Sequence, residues 1–165
     1  MATIYADDIT FTRAVSFDPV DATAGNAMVP CKRYVSQRIT EADLTGGAAT
    51  CTVALTGEPT AMIPLACYVV TDEATTSGDA ATTGLAAEVG IVSGDADFLM
   101  TSVSVFGAAG RKQTATAGVG LNCYRASDAL CVKFTATGAG SEDVGDIDNL
   151  SLRVVILYAP VTAET

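Results

Sequence analysis

The sequence predicts an all-β protein, a jelly-roll-like β-sandwich with one or two short helices and an N-terminal arm. Three observations carry this. Short segments of period-2 alternation recur along the chain, about seven or eight of them, separated by Gly-, Asp- and Pro-containing turns. Thr, Val, Ala and Gly dominate while Trp is absent and Phe and Tyr number five each, a mix that suits thin, closely packed β layers. At 165 residues, the chain fits one domain with a real core.

In chain order, residues 1–33 read as a polar leader. It holds one weak alternating piece (Ile9-Thr10-Phe11-Thr12) and Asp-Pro and Ala-Gly-Asn breakers, and it is too poor in large apolar residues for a core of its own. It is expected to be an edge segment, or an arm that orders on a neighbouring subunit. The sandwich occupies 34–165. Tyr34 to Ile39 is a short strand, and Thr40 to Leu44 is one helical turn with Thr40 as N-cap and Asp43 three residues on. Thr50 to Leu55 alternates, with Cys51, Val53 and Leu55 facing the core. Met62 to Thr71 is almost continuously apolar and reads as a strand buried on both faces, with Leu65, Cys67 and Val69 inward and Pro64 near its start. Asp72 to Thr83 reads as a long polar loop.

Glu88 to Phe106 begins as a strand and breaks at Ser93-Gly94-Asp95. Ala96, Leu99, Met100 and Val103 then follow a helical spacing, so a short helix capped by Asp95 is expected. Gly107 to Thr116 is a second loop. LNCYRASDALC reads as a hairpin about Ser127, leading into the alternation of Leu130, Val132 and Phe134. Thr137 to Asp148 is Gly- and Asp-rich. In the last strand Leu152, Val154, Ile156 and Tyr158 make one face. Val155 and Leu157 beside Arg153 make a second, partly covered face whose cover is expected from another subunit.

Charge and composition exclude several function classes. The net charge is −10 with nine basic residues, too few cations to replace counterions on nucleic acid or to hold an anionic membrane. His is absent, which removes serine-hydrolase and papain-like triads and the commonest metal ligand. Neither a catalytic residue nor a cofactor is assigned. Asp143, Asp146, Asp148 and Asn149 invite a calcium reading, but their spacing is not that of an EF-hand, and a solvated turn explains them.

The five cysteines are Cys31, Cys51, Cys67, Cys123 and Cys131. Cys123 and Cys131 face each other if the hairpin forms, as a cross-strand disulfide or as two unbonded thiols. Cys31 follows Pro30 and precedes Lys32-Arg33; neighbouring cations favour the thiolate, and an odd count leaves one thiol over, so Cys31 is the candidate for an intermolecular bond. Lys32-Arg33 and Arg111-Lys112 are the two basic pairs and the candidate contacts with a partner.

Four stretches, YVSQRITEADLTGGAATCTVAL, IPLACYVVTDE, EVGIVSGDADFLMTSVSV and ALCVKFTATGAGSEDVGDIDNLSLRVVILYA, resemble in pattern and order the decoration (cement) and related minor head proteins of tailed phages. The resemblance covers roughly residues 34–160; the leader and the cysteines depart from the usual pattern. It implies a homo-oligomer, expected to be a trimer, made in the host cytoplasm and seated on the major capsid protein at the virion surface. There it would stabilise the shell through many weak contacts without chemical turnover. Capsid contacts would include Lys32, Arg33, Arg111 and Lys112. Thiols kept reduced in the cytosol would oxidise after release. The alternatives are another virion part (tail, baseplate or head fibre) or a carbohydrate-binding sandwich module.

Overall fold

The structure, a computed structural model, describes residues 31–92, 94–114, 124–125 and 129–161; for 124–125 it describes the backbone alone. Twelve strands are seen among them: β1 (Lys32–Val35), β2 (Ile39–Thr40), β3 (Thr50–Ala54), β4 (Ala61–Thr71), β5 (Thr76–Ser77), β6 (Thr82–Ile91), β7 (Met100–Ser104), β8 (Gly110–Lys112), β9 (Tyr124–Arg125), β10 (Leu130–Gly138), β11 (Ile147–Asp148) and β12 (Ser151–Pro160). All pairings are antiparallel. One sheet runs β1-β12-β4-β8, with β2 and β9 completing its two edges; the other runs β3-β10-β6-β7; β5 and β11 form a small ribbon.

Setting aside the two-residue strands β2, β5, β9 and β11, the remaining eight in chain order are β1, β3, β4, β6, β7, β8, β10 and β12. The first sheet then holds the first, eighth, third and sixth, and the second sheet holds the second, seventh, fourth and fifth. This is the order produced by winding one long antiparallel ribbon into two sheets, the double Greek key of a jelly roll.

The core lies between the sheets. From the first come Tyr34, Ile39, Met62, Cys67, Val69, Leu152, Val154 and Ile156; from the second, Leu85, Ala87, Val89, Met100, Leu130, Val132, Phe134 and Ala136. The expected inward faces of β10 and β12 are both found. So is the helical turn after Thr40: a 3-10 turn covers Glu41–Asp43, and the Asp43 carboxylate accepts from the Thr40 backbone N–H at 2.8 Å and from its hydroxyl at 3.1 Å. A second 3-10 turn covers Val144–Asp146.

Four expectations are corrected. No helix forms at 96–103. Residues 94–99 make a turn and β7 follows, with Val89 opposite Met100 but Ala87 opposite Val103. Two steps along β6 match three along β7, so one extra residue sits in β7 as a bulge. That bulge converts a period-2 pattern into the i, i+3 spacing that imitates a helix. The turn is shaped by Gly90: a Cβ there would lie 2.1 Å from the Asp95 carbonyl oxygen and 2.4 Å from the Ala96 carbonyl carbon. With no side chain in the way, the turn folds back onto β6, where Ile91 N–H donates to Asp95 O at 2.9 Å and Leu99 N–H to Val89 O at 2.8 Å.

β4 is buried on one face only. Leu157 pairs with Ala66 but Tyr158 with Pro64, which leaves Leu65 as a bulge. The bulge shifts the inward phase from Met62 and Pro64 to Cys67, Val69 and Thr71, and it leaves Leu65 exposed. Pro64, which has no N–H to give to the ladder, sits where the ladder is already interrupted.

Of the expected hairpin about Ser127, residues 121–123 and 126–128 lie outside the described residues, and its described parts, β9 and β10, do not pair. β9 joins β4, whereas both edges of β10 are taken by β3 and β6. Cys123 lies outside the described residues. The two expected loops also contain strands: β5 lies within Asp72–Thr83, where Thr75 and Thr82 are buried, and β8 lies within Gly107–Thr116.

Candidate interaction surface

A jelly roll buries one face of each sheet and leaves two faces outward. Here the two differ in chemistry. The outer face of β3-β10-β6-β7 is small and polar: Thr135 lies opposite Thr50, and Lys133 opposite both Thr52 and Glu88. Its one charge pair is closed, Lys133 Nζ to Glu88 at 3.3 Å.

The outer face of β1-β12-β4-β8 is apolar with an arginine fringe. Register places Val35, Val155 and Tyr68 in one row, Arg33, Leu157 and Ala66 in the next, and Ala159 beside Ile63 at the end. Arg153, Val70 and Arg111 form the row on the other side. Val35 is 43% exposed, Ile63 38% and Leu65 46%; these are three of the four exposed large apolar side chains among the described residues. A single exposed leucine would need no explanation, but a cluster on one sheet face marks a contact surface.

The six strands of this sheet contain no Asp or Glu, yet they carry Lys32, Arg33, Arg111, Lys112, Arg125 and Arg153, six of the nine cations of a chain with net charge −10. The two basic pairs, far apart in sequence, thus fall on the two outermost strands, three strand spacings apart across the sheet and four residues apart along it, about 20 Å in all. Arg33 and Arg111 point to the outer face, and the Arg111 guanidinium stacks on the Tyr68 ring at 3.9 Å from its centroid. Stacking holds that charge flat against the apolar patch.

At the rim, Asp72 receives Arg38 at 3.0 Å, Arg153 at 3.2 Å and the Ser151 hydroxyl at 3.1 Å. The Arg38 hydrogen bond, with help from Ser151 and Arg153, holds the Asp72 carboxyl below the usual carboxylate range. Asp72 orients two cations at the border of the face without entering it.

The other carboxylates singled out by the sequence tie backbone together. Asp143 accepts from Gly145 N–H at 2.7 Å and Gly47 N–H at 2.6 Å, which hold its pKa low. Asp146 accepts from the Thr82 hydroxyl at 3.1 Å. Asp95 sits beside Asp97, and the shared proton and like charge raise the Asp95 pKa. Among the described residues no three His, Cys, Asp or Glu side chains converge as metal ligands would.

The thiols fall into two kinds. Cys67 is fully buried, and burial pushes its pKa up to about 12; burial also raises that of Cys131, which lies under the turn on Gly90. Both are inert at neutral pH. Cys31 is half-buried at the entry to β1, on the edge of the basic sheet. Cys31, Cys51, Cys67 and Cys131 are all unbonded.

No protein family, curated protein or solved structure matches this chain. The functional reading therefore rests on the surface itself. Sequence reasoning named the basic pairs and the second face of β12. It missed Val35, Ile63, Leu65 and Tyr68 as members of the same face, although the absence of acids from every strand that carries two cations was a readable signal.

Proposed function

We propose that the chain is a structural subunit of a viral shell, a capsid decoration protein that binds the major capsid protein and stabilises the phage head as a homo-oligomer, a trimer by resemblance. The observation that carries this is the outer face of β1-β12-β4-β8, where Val35, Ile63 and Leu65 stand exposed around a buried Val155, with basic residues at the margins of a chain that is acidic elsewhere. Such a face is built to be covered by protein. Its like-charged arginines steer acidic surfaces in and disfavour self-stacking, while the apolar centre supplies the area. The jelly-roll strand order adds support, since viral shell domains use that architecture, though lectins do as well and fold alone does not assign function.

Each copy would contribute modest contacts, and the repeated lattice would multiply them. The site works by attachment, not turnover. Arg33 and Arg111 are its charged margin, with Lys32 and Lys112 beside them on the same edge strands, and Cys31, on that edge, would form an interchain bond after release into an oxidising medium. A sugar-binding reading is less well supported: glycan platforms present free aromatic faces, and Tyr68, the ring on this face, is covered by Arg111.

The test is titration of purified protein onto empty capsids of the parent particle, with electron microscopy of the product. Saturable stoichiometry and raised resistance of the shell to heat are expected. Absence of this chain from the shell, with no saturable binding, would overturn the reading.

A further inference from the structure

We propose that residues 1–30 of one copy cover the outer face of β1-β12-β4-β8 on a neighbouring copy. The inference rests on the assembly reading above and divides the face: the segment from a second copy takes its exposed apolar side chains, and the basic margin is left to the capsid.

The first argument is charge. This segment carries Asp7, Asp8, Asp18 and Asp21 against Arg13 alone, while the six strands of the receiving sheet hold six cations and no acid. Two stacked copies of the face would bring two sets of Arg33 and Arg111 together, with no acid in the strands of either sheet to offset them. The segment also carries Ile4, Tyr5, Ile9, Phe11, Val15 and Phe17, apolar side chains for the patch at Val35, Ile63 and Leu65.

The second argument is position. Lys32 pairs with Tyr158, and the next residue, Ala159, pairs with Ile63, so the chain enters β1 at the exposed apolar end of this sheet. Thirty residues reach up to about 100 Å when extended, several times the width of the face. Exchange of one element between identical chains needs no second gene product and costs little.

The experiment uses the full chain with p-benzoylphenylalanine in place of Phe11 or, separately, Phe17. Isotopically light and heavy copies are mixed, irradiated and mapped by mass spectrometry. Crosslinks from 11 or 17 to peptides within 61–70 or 153–159, in mixed light–heavy pairs, are expected at both sites. Crosslinks confined to one copy, or landing on β3, β6 or β10, would overturn the proposal. The capsid titration reports separately: saturable binding without these crosslinks defeats the exchange and leaves the assembly reading intact, whereas these crosslinks without capsid binding do the reverse.

Discussion

Replacing Gly90 by alanine places a methyl group where the backbone of the 94–99 turn now lies. The new Cβ would meet Asp95 O at 2.1 Å and Ala96 C at 2.4 Å, neither of which is the end of a flexible side chain. The turn has to lift. Lifting it stretches the Ile91–Asp95 and Leu99–Val89 hydrogen bonds, now 2.9 and 2.8 Å, and draws buried Leu99 from the core. Overpacking costs about 1–3 kcal/mol, and each lost hydrogen bond about 1 kcal/mol. Together these give a destabilisation of about 3–5 kcal/mol, or a drop in Tm of about 6–20 °C for a chain of this size. Gly94→Ala is the control, because nothing lies within 4 Å of its Cβ position. Urea denaturation of the two variants reads the difference, and mass-mapped thiol labelling reads exposure of Cys131, which pairs with Gly90. If Gly90→Ala unfolds within about 0.5 kcal/mol of wild type, the turn does not rest on β6.

Other predictions follow from the same structure. Leu99→Ala should cost about 2–5 kcal/mol in chemical denaturation because the side chain is fully buried, whereas Leu65→Ser, at an exposed bulge, should leave the unfolding midpoint of dilute protein almost unchanged. Thr75 has a fully buried hydroxyl without a hydrogen-bond partner, so Thr75→Val should raise stability, by about 1–3 kcal/mol if the whole desolvation cost is recovered; a loss of more than about 1 kcal/mol would show that the hydroxyl is satisfied in solution. Asp72 and Asp143 have folded pKa values below the ordinary 3.8, so their stabilisation is present above that pH and lost as pH falls through the folded values. Asp95 works in the opposite sense: its raised pKa means that protonation favours the fold, so Asp97→Asn should raise Tm near neutral pH and have little effect in acid.

Much of the fold is legible in the residues. The alternation in β3, β10 and β12 set their inward faces, and the capped turn after Thr40 forms as its spacing requires. What misleads is the bulge. One extra residue between Met100 and Val103 writes a helical spacing into a strand, and one at Leu65 hides a one-sided strand inside an apolar run. Neither is visible without the partner strand, since a bulge is a property of a pair. The same holds for the surface. Arg33, Leu157 and Ala66 become neighbours only because the jelly-roll winding places the first, eighth and third strands side by side. The cations were readable one by one. Their convergence is set by topology, which local pattern does not specify.

The central claim is that the outer face of β1-β12-β4-β8 is a protein contact. Sedimentation of the full chain against Leu65→Asp tests it most directly, because that substitution puts an acid at an exposed position that the fold tolerates and an acidic, apolar occupant does not. The wild type is expected to sediment as an oligomer and the variant as a monomer, with an unchanged Tm for its dilute subunit. A variant with the mass and capsid binding of wild type would contradict it.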